Sequence, residues 1–143
     1  MKSIADRLEK FGRLSGVERR ILVQAWLLLL LADLALRLLP FTTVQHYCRR
    51  QHVPRGQGSA NALPAATRIA WLVEKAGQYC PLGTSCLKEA LVLSRLLAQR
   101  GVSTTLRIGV GHRAEAFAAH AWLEQDGRVI LGDSDVDAYS RLI

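Results

Sequence analysis

The chain lacks the features by which many small proteins are held together or recognised. It has three cysteines in 143 residues, an odd number, and no cysteine pair at zinc-finger spacing with a second pair elsewhere. That excludes a disulfide scaffold and argues against a structural zinc site, even though His46-Tyr47-Cys48 and His52 lie close together. No GxxxxGK[ST] loop and no glycine-rich dinucleotide fingerprint occurs, so no cofactor is implied. Met1-Lys2-Ser3-Ile4-Ala5-Asp6 has no apolar run with a cleavage site, so a cytoplasmic location with reduced thiols is expected. Acidic residues are scarce: 12 against 19 lysines and arginines, a net charge of +7. An excess of that sign suits an acidic peptide, a nucleic acid or a membrane surface. Half the residues are hydrophobic, which is enough for one core.

What is present concentrates between Cys86 and Asp133. Cys86 follows Cys80-Pro81-Leu82-Gly83-Thr84-Ser85, a stretch rich in breakers. It precedes Leu87 to Arg100, which is rich in helix formers. Gly101 is the expected stop, with Arg100 in the last turn. Thr84 or Ser85 is the expected N-cap, so Cys86 falls in the first turn. Free N–H groups and the positive end of the helix dipole gather there. Both favour a thiolate, the reactive form of cysteine, and could also bind a substrate oxyanion. Taken alone, Cys86 reads equally well as a small buried hydrophobe.

His120 changes that balance. Phe117 to Glu124 reads as a strand, Asp126-Gly127 as a two-residue hairpin turn, and Arg128 to Gly132 as the returning strand. Counting back from the turn sets Glu124 against Val129, Leu123 against Ile130, Trp122 against Leu131 and His120 against Asp133. Opposed residues share a face, so Asp133 would orient the imidazole and leave its other nitrogen for Cys86. A slip of one residue would separate them. A lone strand histidine is more often structural; a paired carboxylate and a helix-start cysteine reverse that preference. A cysteine nucleophile needs a base and a group that orients the base. Cys86, His120 and Asp133 are one of each. Asp126 and Asp135 are nearby rivals for the third role. His112, in an expected loop from Gly111 to Glu115, is a rival base.

The pattern Cys86-Leu87, Leu96-Leu97-Ala98-Gln99-Arg100-Gly101-Val102, Leu106-Arg107-Ile108-Gly109-Val110, Ala119-His120-Ala121-Trp122-Leu123-Glu124 and Asp126-Gly127-Arg128-Val129 resembles a transglutaminase-like cysteine protease core. Within that group it more closely resembles the stand-alone leader peptidases of lasso-peptide biosynthesis. That resemblance implies a peptidase that removes the leader from a lasso precursor, freeing the core for a separate ATP-dependent cyclase. It also implies a separate leader-recognition protein, because this chain is too short to contain both modules.

Toward the N-terminus, Ser3 to Leu14 is a short amphipathic helix, with Ile4, Leu8 and Phe11 on one side and Arg7, Lys10 and Arg13 on the other. Its basic side is either a solvated face or a docking face. Ser15-Gly16-Val17-Glu18 is a capping box opening a long helix through Leu39, ended by Pro40 and Phe41-Thr42-Thr43. Gln24, Asp33 and Arg37 interrupt its leucine run, so it reads as a buried or partner-facing helix rather than a membrane span. Peripheral membrane contact stays open. Asp33 and Arg37 form an i,i+4 pair. Arg55 to Asn61 is a linker, which divides an N-terminal helical region, 1–60, from a protease domain, 61–143. Leu63 to Ala76 is a helix with Ile69, Leu72, Val73 and Ala76 as its stripe, and Gly77 is the expected stop. Thr104 to Val110 is a strand, and Ser134 to Ile143 has no evident regular structure.

The expected fold is α+β: a transglutaminase-like or papain-like cysteine protease core, helices on a small antiparallel sheet, with an N-terminal helical extension. Two alternatives remain at this stage. One is a transglutaminase-type acyl transferase, which shares the acyl-enzyme step. The other is a non-catalytic basic adaptor.

Overall fold

The computed structural model describes residues 9–10, 12–49, 62–113, 116–132 and 140–142. Four helices are resolved there: α1 (Gly16–Leu38), α2 (Phe41–Arg49), α3 (Ala62–Gln78) and α4 (Cys86–Ala98). They accompany four strands: β1 (Thr105–Arg113), β2 (Ala116–Gln125), β3 (Arg128–Leu131) and β4 (Ser140–Arg141). The strands form one antiparallel sheet in the order β3-β2-β1-β4. The α+β expectation therefore holds. Most of the expected Ser3–Leu14 helix and the whole linker around residue 60 lie outside the described residues.

Helix α1 begins as its sequence dictates. The Ser15 hydroxyl accepts from the Glu18 N–H at 3.2 Å, and the Glu18 carboxylate accepts from the Ser15 N–H at 3.0 Å. Leu39 ends the helix in an extended conformation, as a residue before proline prefers. Pro40 does not simply stop the chain, however. A second helix, α2, starts at Phe41 with the Thr43 N–H bonded to the Pro40 carbonyl, because proline lacks only the N–H that a helix start does not need.

Ile21, Ala25 and Leu29 of α1 are buried at four-residue spacing. They join Ile69, Leu72 and Val73 of α3, Leu93, Leu96 and Leu97 of α4, and Leu123 and Leu131 of the sheet in one core. Asp33 continues the same buried line. Its carboxylate is compensated by Arg37, at 2.8 Å, and by Lys88 in the first turn of α4. Lys88 holds that carboxyl below its ordinary range; burial opposes the shift and Arg37 assists it. A buried charge stripped of its partners is costly, so this pair ties α1 to the turn that carries Cys86. The Trp26 indole N–H adds a bond to the Tyr79 carbonyl, at 3.3 Å, just before the Cys86 approach.

The outer side of α1 is different. Val23, Leu27, Leu31, Leu34 and Leu38 are all about half exposed or more, in a row at three- and four-residue spacing. Arg19 and Arg20 stand exposed at one end and Arg37 at the other. By length and composition α1 could cross a membrane, with a mean hydropathy of 2.0 in its most apolar window. Core helices of soluble proteins pass the same test.

Of the two glycines expected to stop helices, one plays another part. Gly77 lies inside α3 rather than after it. A Cβ there would collide with the Glu89 carboxylate and press on the Thr84 methyl, so the glycine serves close helix packing rather than termination. Gly101 behaves as expected: it takes φ +74° and the Val102 N–H returns to the Leu97 carbonyl at 2.9 Å.

Candidate active site

Cys86 is the first residue of α4. Ser85 is the N-cap, its hydroxyl accepting from the Lys88 N–H at 3.4 Å. The cap satisfies one of the free donors and leaves those of Cys86 and Leu87 heading the helix. Cys86 is half-buried, unlinked to any other cysteine among the described residues, and in line with buried Ala90, Leu93 and Leu97. Cys80 is half-buried against the helical core, and the side chain of Cys48 lies outside the described residues. One turn after Cys86, Glu89 is packed beneath Gly77. Burial pushes its carboxyl up, with repulsion from Glu74 adding to this and a bond from Thr84 opposing it.

Helix α4 packs against β2, the strand that carries His120. The turn that returns β2 to β3 is the one expected, with Asp126 at φ 49° and Gly127 at φ 78°. Gln125 pairs with Arg128 and Glu124 with Val129, as counted. There the count fails. Leu123 pairs with Leu131, not Ile130, across a bulge between Leu123 and Glu124, so the pairing of Trp122 with Leu131 is corrected. The reason is core packing. A regular strand would send Ile130 and Leu131 to opposite faces, whereas the extra residue lets both reach the helical core.

The uninterrupted register that set His120 opposite Asp133 therefore breaks at Leu123. Asp133 itself, like Asp135, lies outside the described residues. What His120 meets is the backbone just before Asp133: its Nε2 is 3.0 Å from the Gly132 carbonyl oxygen. A carbonyl only accepts, so this bond requires a proton on Nε2. Gly132 has φ +76°, and a Cβ there would lie 3.2 Å from His120 Nε2 and 3.0 Å from the Ala121 carbonyl oxygen. Glycine is thus required both for the turn of the chain and for the approach to the imidazole. Sequence reasoning missed this acceptor; the only signal was a glycine directly before an aspartate at the strand end.

The rival base is also placed differently. His112 is in strand β1, paired with Phe117, not in a loop. The β1–β2 ladder runs unbroken from Thr105 and Glu124 to Arg113 and Ala116. His112 is three residues along β1 from Gly109, the partner of His120.

His120, Trp122 and Glu124 share one face of β2 by alternation. The imidazole and indole are stacked, 6.1 Å between centroids and 22° between planes. Trp122 is fully buried, and its Nε1–H donates to Glu124 at 2.9 Å. Arg107 of β1 reaches the same carboxylate at 3.4 Å and Arg141 of β4 at 3.5 Å. Burial raises the Glu124 carboxyl, but the indole and the two guanidiniums outweigh it and hold the group below the usual range. The C-terminal segment, expected to lack regular structure, thus contributes the short strand β4 and Arg141 to this face.

Cys86 heads a helix that packs on β2, the strand that carries His120, and a helix-start cysteine and a strand histidine on a helix-and-sheet fold are the parts that thiol-dependent acyl transfer uses. The comparison with protein families agrees. Residues 26–143 match the transglutaminase-like superfamily, and the chain belongs to it. Its members are usually cysteine proteases or acyltransferases. No curated protein and no solved structure gives a significant match.

Proposed function

We propose that the chain is a cysteine peptidase that removes the leader from a ribosomally made lasso-peptide precursor. The observation that carries the catalytic part is Cys86 at the first position of α4, a helix that packs on the strand whose His120 has its Nε2 turned to the Gly132 carbonyl. In this reading His120 Nδ1 takes the Cys86 proton. The thiolate attacks the scissile carbonyl, and the Cys86 N–H faces the developing oxyanion. His120 then protonates the leaving amine, and water hydrolyses the thioester. Asp133, next in sequence to Gly132, assists in orienting His120. The resemblance of the Cys86 and His120 motifs supports the substrate class. The peptidase would work in the cytoplasm, without a cofactor, beside a separate leader-recognition protein and the lasso cyclase. The exposed row Val23-Leu27-Leu31-Leu34-Leu38 is the surface on which such partners would dock.

The test is mass spectrometry of a lasso precursor incubated with the protein and its leader-binding partner, with Cys86→Ala as control. The expected result is one cut at the leader–core junction, lost in the variant. A cut that survives Cys86→Ala would remove Cys86 as nucleophile. A product in which two molecules are joined would assign acyl transfer to an amine, while binding of the partner without any cut would favour the adaptor reading.

A further inference from the structure

We propose that Glu124 is a positioning residue for His120, acting through the indole of Trp122. The inference rests on His120 being the base that serves Cys86, and adds a residue that the triad does not contain. It starts from a cost. Glu124 is 7% exposed, and burying a carboxylate is unfavourable even when it is paired. A glutamine or a backbone carbonyl would satisfy an indole N–H at lower cost. The chain instead places a charge there and brackets it with two arginines from two different strands, Arg107 and Arg141.

The arrangement makes sense as an orientation device. The final torsion of a tryptophan side chain is broad, so packing alone defines the indole plane loosely. A charge-assisted bond from Nε1 to Glu124, at 2.9 Å, fixes that plane. The imidazole lies nearly parallel to the fixed ring, at 22°. On the neighbouring strand the residue opposite His120 is Gly109, which brings no side chain to steady the ring. The Gly132 carbonyl holds one ring nitrogen at 3.0 Å, and the indole forms the wall that sets the tilt about that bond. Glu124, four residues along β2 from His120 and so outside hydrogen-bond reach of the imidazole, acts on the base only through Trp122.

Iodoacetamide tests this without a peptide substrate. Alkylation of Cys86 is followed across pH by peptide mass spectrometry, with Cys80 in the same digest as the standard for an intact helical core. A thiolate sustained by His120 gives Cys86 a reactivity on the acid side that His120→Ala abolishes. Glu124→Leu is expected to lower the Cys86 rate near pH 6 by about ten-fold, comparable to losing the group that orients a metal-bound histidine. Glu124→Gln keeps an oxygen for the indole and is expected to restore most of that loss. Trp122→Phe, which lacks the N–H, should reproduce the fall, and Glu124→Leu added to it should change nothing more. If Glu124→Leu does not fold, judged by Cys80 reactivity, Trp122→Phe and Glu124→Gln carry the test. The proposal is overturned if Trp122→Phe or a folded Glu124→Leu keeps the wild-type rate, or if Glu124→Leu costs as much with phenylalanine at position 122. A wild-type profile already identical to that of His120→Ala would overturn the base assignment, and this proposal with it.

Discussion

The two faces of β2 do opposite jobs with alternate residues. On one, Leu123 is fully buried in the helical core beside Leu131. On the other, His120, Trp122 and Glu124 form a polar line backed by Arg107 and Arg141. The first face is held by non-directional burial and tolerates apolar side chains of similar volume. The second is held by donors, acceptors and ring planes, each of which has one workable geometry. A single strand therefore separates an apolar face from a hydrogen-bonded polar one with a period of two.

That separation can be broken from either side. The largest effect is expected on the polar face: His120→Ala should lower precursor cleavage by at least about 10³-fold, by analogy with the loss of a triad base. The half-buried ring contributes little packing, so urea midpoints should move little. On the core face the pattern reverses. Leu123→Ala should destabilise by roughly 2–5 kcal/mol, read from urea unfolding, while the folded fraction keeps its rate of cleavage. A Leu123→Ala protein that is stable but slow would show that the core side transmits to the site.

Gly132→Ala is the sharper probe, because it touches the polar face without removing a functional group. At φ +76° an alanine carries about 1–2 kcal/mol of backbone strain. Its methyl would also press on His120 Nε2, at 3.2 Å. Displacing the base by a fraction of an ångström should cost roughly 10- to 100-fold in cleavage. A loss of stability without a matching loss of rate would show that the Gly132 carbonyl is not what orients the ring.

The same division explains which features were readable from the residues. Ser15 with Glu18, Ser85 before Cys86, Gly101 and Asp126-Gly127 are local devices: the residues that make them are neighbours in the chain. They gave the helix starts, the cysteine's position and the hairpin. The bulge at Leu123 and Glu124 was not local, since it is set by how Ile130 and Leu131 meet helices far away in sequence. Gly77 looked like a stop until its contact with Glu89 of another helix was known. Lys88 gave no sign of its pairing with Asp33, which lies 55 positions away. His112 was misplaced because Gly111 looked like the start of a loop, whereas a continuous ladder carries it.

The smallest expected effect concerns charge. Lys88 and Arg37 lower Asp33, Arg68 and Ser15 lower Glu18, and Trp122 with two arginines lowers Glu124 against its burial. Each has a folded value below its unfolded one, so its stabilisation is present above about pH 4 and is lost as the pH falls through the folded value. Glu89 runs the other way. Burial and Glu74 raise it, so its protonated form favours folding, and that contribution is lost as the pH rises through its folded value. Glu89→Gln should therefore stabilise the protein at pH 7, by about one to two degrees in Tm once partial exposure is allowed for. Near pH 4 and below, where wild-type Glu89 is itself protonated, the gain should vanish. Thermal unfolding at the two pH values decides it: a gain of equal size at both would trace to packing against Gly77, not to the buried charge.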